Sequence, residues 1–381
     1  MKITYLLPHS PEVCGLNNDA FKESTHFSLI FCEKLSELNN DVELLYFGTK
    51  YSVNKKEYEI IEFPVSIGKS FGQELSVPLL KYLLTMDSDI VHIHGLRQVN
   101  LLPIVVILYL KKIPFIVHHH GGYFNYSKRK VRFFYKIMSF FLKYPCVTLS
   151  VSKIEIKNLQ KSGVSANKLI HFPVGVDCSQ FYPTDQAISR TKLSLNTDDI
   201  YILFVGRMVF LKGVQYLIKA ISILQKNYNN VRLILVGDGP QHAYFKSVAE
   251  LENVSDVVSF VGFVNNYEKL RTYYNATDIC VFPSLSEGSA IVTLEAMACK
   301  KPIICTRAHL GGGIVEDYTN ALIADINPSS IAEKIVELIE NKSLQDSISK
   351  SGYNYVTNNL SWEVLSKKLN DIYISNNLTV D

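Results

Sequence analysis

Glu287 and Glu295 stand eight positions apart in SLSEGSAIVTLEAMACKKPIICT, residues 284–306, a segment that reads as a strand end, a turn, a helix to about Cys299 and a new strand from Ile303. At 1.5 Å per residue the spacing separates the two carboxylates by about 12 Å. They cannot share one hydrogen, but they can grip opposite ends of an elongated polar ligand. The backbone N–H groups of Gly288, Ser289 and Ala290, at the start of that helix, would then face an anion. The same spacing also fits a helix N-terminal charge followed by a solvated helix residue.

A second constellation is FVGRMVFLKG, residues 204–213, in which Gly206 and Arg207 end a buried strand and Lys212 precedes a helix. Two cations so placed can clamp a diphosphate, Arg207 with a fork of donors and Lys212 as a point charge, although an ordinary exposed pair would look the same. The strand-then-glycine turn ILVGDGP, residues 234–240, lacks the third glycine of a dinucleotide fingerprint, and no G-x-G-x-x-G follows a strand anywhere. That disfavours a nicotinamide oxidoreductase. In the first half, IVHIHG and IVHHHGG place His92, His94, His118, His119 and His120 at strand ends before glycine. Imidazole is a common metal ligand. No acidic or cysteine ligand accompanies these histidines at metal-site spacing, so the expectation is no metal, with His92 structural and His120 donating a hydrogen bond to substrate.

The elements that must position these groups alternate along the chain as β-α units, short β-branched runs followed by longer helical patterns. Candidate strands are Ile3 to Leu7, Val42 to Phe47, Ile90 to His94, Phe115 to His118 and Val147 to Val151, then Tyr201 to Val205, Val231 to Val236, Val257 to Phe260, Ile279 to Phe282 and Ile303 to Thr306. The class is α/β, with two doubly wound halves whose ligands should sit outside the carboxyl ends of strands. A helical tail follows, Ser330 to Glu340, Leu344 to Tyr355 and Trp362 to Ile374. A length of 381 residues fits two domains, and 47% hydrophobic with 20% charged residues is ordinary globular usage.

Residues 1–185 carry 21 Lys and Arg against 16 Asp and Glu, within a chain total of +3. So mild a basic excess argues against a nucleic-acid binder yet permits contact with phosphates or an anionic membrane. Seven cysteines, odd in number and without C-x-x-C spacing, suggest reduced thiols in the cytoplasm. The apolar run near the N-terminus is too short for a signal peptide, and Leu101 to Leu110 is about half of a membrane span. In residues 126–144, Lys128, Arg129, Lys130, Arg132, Lys136 and Lys143 occur with no acidic residue, while Phe133, Phe134, Ile137, Phe140 and Phe141 fall at helical spacing. A basic amphipathic helix of this kind either covers a core or lies on an anionic leaflet, and membrane contact through Lys128, Arg129, Lys130, Arg132 and Lys136 is the favoured reading.

Together these segments resemble glycosyltransferase family 4, retaining nucleotide-sugar glycosyltransferases of the GT-B fold. The resemblance runs in order through DIVHIHG (89–95), PFIVHHHG (114–121), VSKIEIKNL (151–159), HFPVGVDCSQFYP (171–183), FVGRMVFLKG, LVGDGP, FVGFV (260–264), DICVFPS (278–284), EGSAIVTLEAMACKKPII (287–304) and the closing SWEVLSKKLNDIY. It implies two Rossmann-like domains facing across a cleft: an acceptor-binding domain over 1–180, a nucleotide-sugar-binding domain over 181–360, and a helix over 361–381 that packs back on the first. It also implies catalytic roles for His120, Arg207, Lys212 and Glu287. Arg207 and Lys212 would bind the donor diphosphate and stabilise it as it departs, His120 and Glu287 would contact the donor sugar, and Glu295 would accept hydrogen bonds from ribose hydroxyls. Gly15, Gly206, Gly262, Phe263, Gly288, Ser289, Ala290 and Ile291 would complete the donor site, and no metal or other cofactor is implied.

The sequence departs from the family pattern at the single glycine of PEVCGLNND. It departs again at His309 and Leu310, which stand where the family has a glycine pair, and at Ala321 before Leu322. The reading that results is a cytoplasmic, peripherally membrane-attached enzyme that takes a UDP- or GDP-sugar and extends a lipid-linked saccharide of capsule, O-antigen or exopolysaccharide, with no nucleic-acid partner. Its rivals are a catalytically silent scaffold of a polysaccharide assembly complex and a sugar-nucleotide epimerase of the same fold.

Overall fold

The computed structural model describes the chain except residues 12–17, 23, 25, 69–72, 96–99, 121–128, 130–132, 134–135, 138–139, 145–146, 288–290 and 376–381. The chain divides into two units, Met1–Pro173 with Trp362–Asp381, and Val174–Ser361. The division follows the packing. Val176 and Phe181 are buried in a core of the second unit, and Val176 bridges to Ser361.

The first unit is built on an eight-stranded sheet in the order β3-β4-β2-β1-β5-β6-β7-β8. Its strands are β1 (Lys2–Leu7), β2 (Asp41–Gly48), β3 (Ser52–Lys55), β4 (Glu59–Pro64), β5 (Ile90–His94), β6 (Phe115–His119), β7 (Val147–Ser150) and β8 (Leu169–His171). All pairs are parallel except β3 with β4. Helices α1 (Asn18–Lys22), α2 (Phe27–Glu37), α3 (Val77–Thr85), α4 (Leu101–Leu110) and α5 (Lys153–Lys161) connect the strands. Because a parallel strand buries both faces, successive residues feed two cores. Ile3, Tyr5 and Leu7 enter one with Phe31 and Leu35 of α2, whereas Leu6, Val91 and Ile93 enter the other with Leu79 and Ile104.

The second unit is a six-stranded parallel sheet ordered β11-β10-β9-β12-β13-β14. It comprises β9 (Ile200–Val205), β10 (Val231–Val236), β11 (Val258–Gly262), β12 (Ile279–Phe282), β13 (Ile303–Thr306) and β14 (Leu322–Ala324), with helices α6 (Gln186–Lys192), α7 (Val214–Leu224), α8 (His242–Leu251), α9 (Tyr267–Ala276) and α10 (Ile291–Ala298). Strand order runs outward from β9 to β11 and then restarts at β12 on the other side of β9, so β9 and β12 flank the switch point where such sheets open a ligand crevice. Helices α11 (Pro328–Glu340) and α12 (Lys342–Asn359) close this unit, and α13 (Trp362–Ser375) belongs to the first. Trp362, Leu365, Leu369 and Tyr373 of α13 lie in the same core as Phe31 and Leu35. Among the described residues no helix is long and apolar enough to cross a membrane.

Candidate functional site

At the carboxyl end of β9 the backbone opens at Gly206 and delivers Arg207, whose side chain is exposed and forms no ion pair among the described residues. A short helical turn, Phe210–Lys212, then carries the chain to Gly213. Gly213 adopts φ +71°, and a Cβ there would lie 2.0 Å from the Pro283 carbonyl oxygen. Only glycine permits that approach. With Leu285 donating its N–H to Leu211 O at 2.8 Å, it seats the turn against the loop after β12.

Across this seam Lys212 Nζ donates to Glu287 Oε1 at 2.6 Å. Ser284 Oγ donates to the same oxygen at 2.6 Å, and His309 Nε2 stands 3.9 Å away. Glu287 is thus oriented by these partners, and among the described residues its second oxygen has no hydrogen-bond partner. His309 is buried, and desolvation lowers its pKa to about 4, so at neutral pH it presents an uncharged ring beside the ion pair. His309 and Ser284 are contacts that the sequence reading did not assign. The signal for His309 was its place where the family pattern has glycine, and nothing in the spacing tied it to Glu287.

Glu295, in the middle of α10, is buried, and its Oε2 accepts from the Tyr274 hydroxyl at 2.8 Å. Burial raises its pKa to about 7, against a smaller lowering by the Tyr274 bond. Tyr274 comes from α9, a partner no motif indicated. A carboxylate so placed is costly unless further donors reach it, and a pair of vicinal hydroxyls supplies them. Ile291 begins α10 and is half exposed, Gly262 takes φ +82° at the end of β11, and Phe263 after it is 74% exposed. Gly288, Ser289 and Ala290 lie outside the described residues, as does Gly15.

In the first unit His120 follows β6 and stacks on Phe27, His94 and His118, with its Nε2 2.6 Å from His94 Nδ1. Of the basic stretch, Lys128, Lys130 and Arg132 are outside the described residues. Arg129 and Lys136 are helical and exposed, and so are Phe133, Ile137 and Phe140, which share one face by their spacing. Phe141 and Leu142, just beyond, turn inward.

Two family models match in tandem, Glycosyltransferase Family 4 over residues 28–180 and Glycosyl transferases group 1 over residues 185–355. An uncharacterized glycosyltransferase of Methanocaldococcus jannaschii is 30% identical over 189 residues, 48% of this chain and 47% of that one, so the match spans about half of that relative. The alpha-monoglucosyldiacylglycerol synthase of Acholeplasma laidlawii is 24% identical over 307 residues, 75% of each chain. Among solved structures, Anabaena HepE in complex with UDP superposes with a TM-score of 0.76 at 18% identity, covering 98% of this chain and 100% of that one. That likeness is one of fold, the GT-B arrangement of two Rossmann-like domains.

Proposed function

Because the chain belongs to glycosyltransferase family 4, we propose that it moves a hexose-type sugar, with retention, from a nucleoside diphosphate sugar to a lipid-linked saccharide in the building of a surface polysaccharide. The observation that carries the donor half is the Lys212, Glu287 and Ser284 cluster beside the switch point, with Arg207 exposed at the end of β9. A diphosphate arriving there would meet the Arg207 fork and draw Lys212 partly from Glu287, whose carboxylate would turn to sugar hydroxyls. The C1–O bond to the diphosphate breaks with its electron pair leaving on the phosphate. The acceptor oxygen forms the new C1–O bond on the same face and gives its proton to that departing phosphate. Arg207 and Lys212 stabilise the charge as it develops, which preorganised cations do without reorganising. No metal takes part in this scheme.

The lipid-linked acceptor and peripheral attachment to the inner leaflet rest on the exposed Phe133, Ile137 and Phe140 beside Arg129 and Lys136, and on the relative from Acholeplasma laidlawii. Unfolding midpoints measured with UDP, GDP, ADP and CMP on the intact protein and on Glu295→Ala test the donor half. One nucleotide at about 100 times its dissociation constant adds about 2.7 kcal/mol, a shift of several degrees that the variant should lose in large part. Lys212→Ala should fold and keep little turnover, down about a hundredfold or more. No shift with any nucleotide at millimolar concentration, or near-full turnover in Lys212→Ala, would refute the assignment.

A further inference from the structure

The first unit contains a group of side chains that the proposed transfer does not use. His94 of β5 lies directly opposite His118 of β6 in the parallel register, and His92 stands two residues before His94 on the same face. All three are essentially sealed from solvent, at 0%, 1% and 2% exposure. Tyr5 of β1 lies against His92 and His94, Phe27 of α2 against His94, and Phe172 against His118. One ring nitrogen from each histidine can be chosen so that all lie within 4.8 Å of one another.

Among the described residues His92 Nε2 and His94 Nε2 find no hydrogen-bond partner, and His118 has at most the Phe172 backbone within reach of one of its nitrogens. A buried polar atom left unpaired costs about 1–3 kcal/mol, and native folds keep few of them. Several in one spot ask for an occupant.

The remaining nitrogens are already engaged, in the way ligand histidines are held. His92 Nδ1 is bonded to the Tyr373 hydroxyl of α13, and His94 Nδ1 to His120 Nε2 at 2.6 Å. If each Nδ1 carries its proton toward those acceptors, each Nε2 turns a lone pair inward. Metal-ligating histidines characteristically donate their other N–H to such an outer partner.

We propose that His92, His94 and His118 bind one divalent transition cation of the zinc class, with Tyr373 and His120 as the outer partners that fix the His92 and His94 tautomers. Three imidazoles with one open position suit such an ion, and softer thiolate-seeking or harder oxygen-seeking ions fit less well. Bonds of about 2.1 Å place tetrahedral ligand nitrogens roughly 3.4 Å apart, so the His92 and His94 rings, stacked with centroids 4.5 Å apart, would turn out of their parallel arrangement about their χ angles to converge on the ion. The ion would tie β5 to β6 and, through Tyr373, to α13. The site lies wholly in the first unit and shares with the donor reading only His120, which serves here as an outer partner through its Nε2.

The test uses the full chain without a polyhistidine tag, stripped with chelator and titrated with Co²⁺ and then Zn²⁺. The expected result is one visible ligand-field band characteristic of tetrahedral Co²⁺, saturating at one equivalent, bleached by Zn²⁺, with an unfolding midpoint raised by several degrees. The double variant His94→Gln, His118→Gln should lose the band, His242→Gln should keep it, and Tyr373→Phe should bind about tenfold more weakly. Absence of both the band and the midpoint shift in the native chain overturns the proposal and leaves water as the occupant. Undiminished binding in the double variant does so too, and if that variant does not fold, unchanged affinity in Tyr373→Phe removes the outer-partner argument on which the assignment stands.

Discussion

Two carboxylates eight residues apart end in different surroundings because their neighbours differ. Glu287 sits at a loop where Lys212 and Ser284 reach it, whereas Glu295 faces the interior with one hydroxyl, Tyr274, for company. The consequence for Glu295 is a pH dependence of stability with a definite sign. Its folded pKa of about 7 lies above the ordinary 4.5, so between those values the folded protein binds more protons than the unfolded one. Stability therefore falls as pH rises through this window, by at most about 3 kcal/mol, and the loss is complete above pH 7. Glu295→Gln keeps an acceptor for Tyr274 and removes the titration. Measured without ligand, its unfolding midpoint should match the native protein near pH 5 and exceed it at pH 8, and parallel pH profiles for the two proteins would contradict the assignment. Nucleotide, by donating ribose hydroxyls to the ionised form, should expel this proton and bind more tightly as pH rises.

Elements place these residues through backbone contacts that tolerate no added atom. At Gly213 a methyl would strike the Pro283 carbonyl, which is backbone and cannot step aside as a side-chain tip would. Gly213→Ala should therefore shift the Phe210–Lys212 turn away from β12, pull Lys212 from Glu287, and lower both the unfolding midpoint of the second unit and turnover. Gly163→Ala is the matched control. It shares a positive φ, +101°, but nothing lies within 4 Å, so only the strain of about 1 kcal/mol should appear, with turnover kept. Equal effects at both positions would mean that backbone strain, not the close approach, governs Gly213. The strands carrying the site were legible in the sequence because they are continuous β-branched runs ending at glycine or proline. Strands β3 and β4 were not, since Ser52–Pro64 holds five charges and reads as a solvated loop. Glu62 enters the β4 interior only because Tyr46, Ser52 and Lys22 converge on it from distant positions. Strands β8 and β14 have three residues each, too few for any periodicity to register. The same limit hid Tyr274 and His309, whose contacts with Glu295 and Glu287 are made by folding and leave no trace in local spacing.

At the scale of the whole chain, one unit is continuous and the other is not. Val174–Ser361 holds both of its cores within itself, while Met1–Pro173 depends on α13, which arrives after the second unit is complete. Trp362, Leu365, Leu369 and Tyr373 each bury an apolar body worth about 1.5–3 kcal/mol, together roughly 8 kcal/mol against the 5–15 kcal/mol that keeps a typical domain folded. A chain ended at Ser361 should then lose the first unit and keep the second. Limited proteolysis should cut within residues 1–173, the nucleotide-induced rise in unfolding midpoint should survive, and sugar transfer should vanish. Such a separation would locate donor binding in the second unit alone and make the returning helix a condition of turnover without being part of the donor site. If nucleotide response disappeared along with transfer, the two units would have to fold as one cooperative body, and Arg207, Lys212, Glu287 and Glu295 would owe their positions to residues beyond the sheet that carries them.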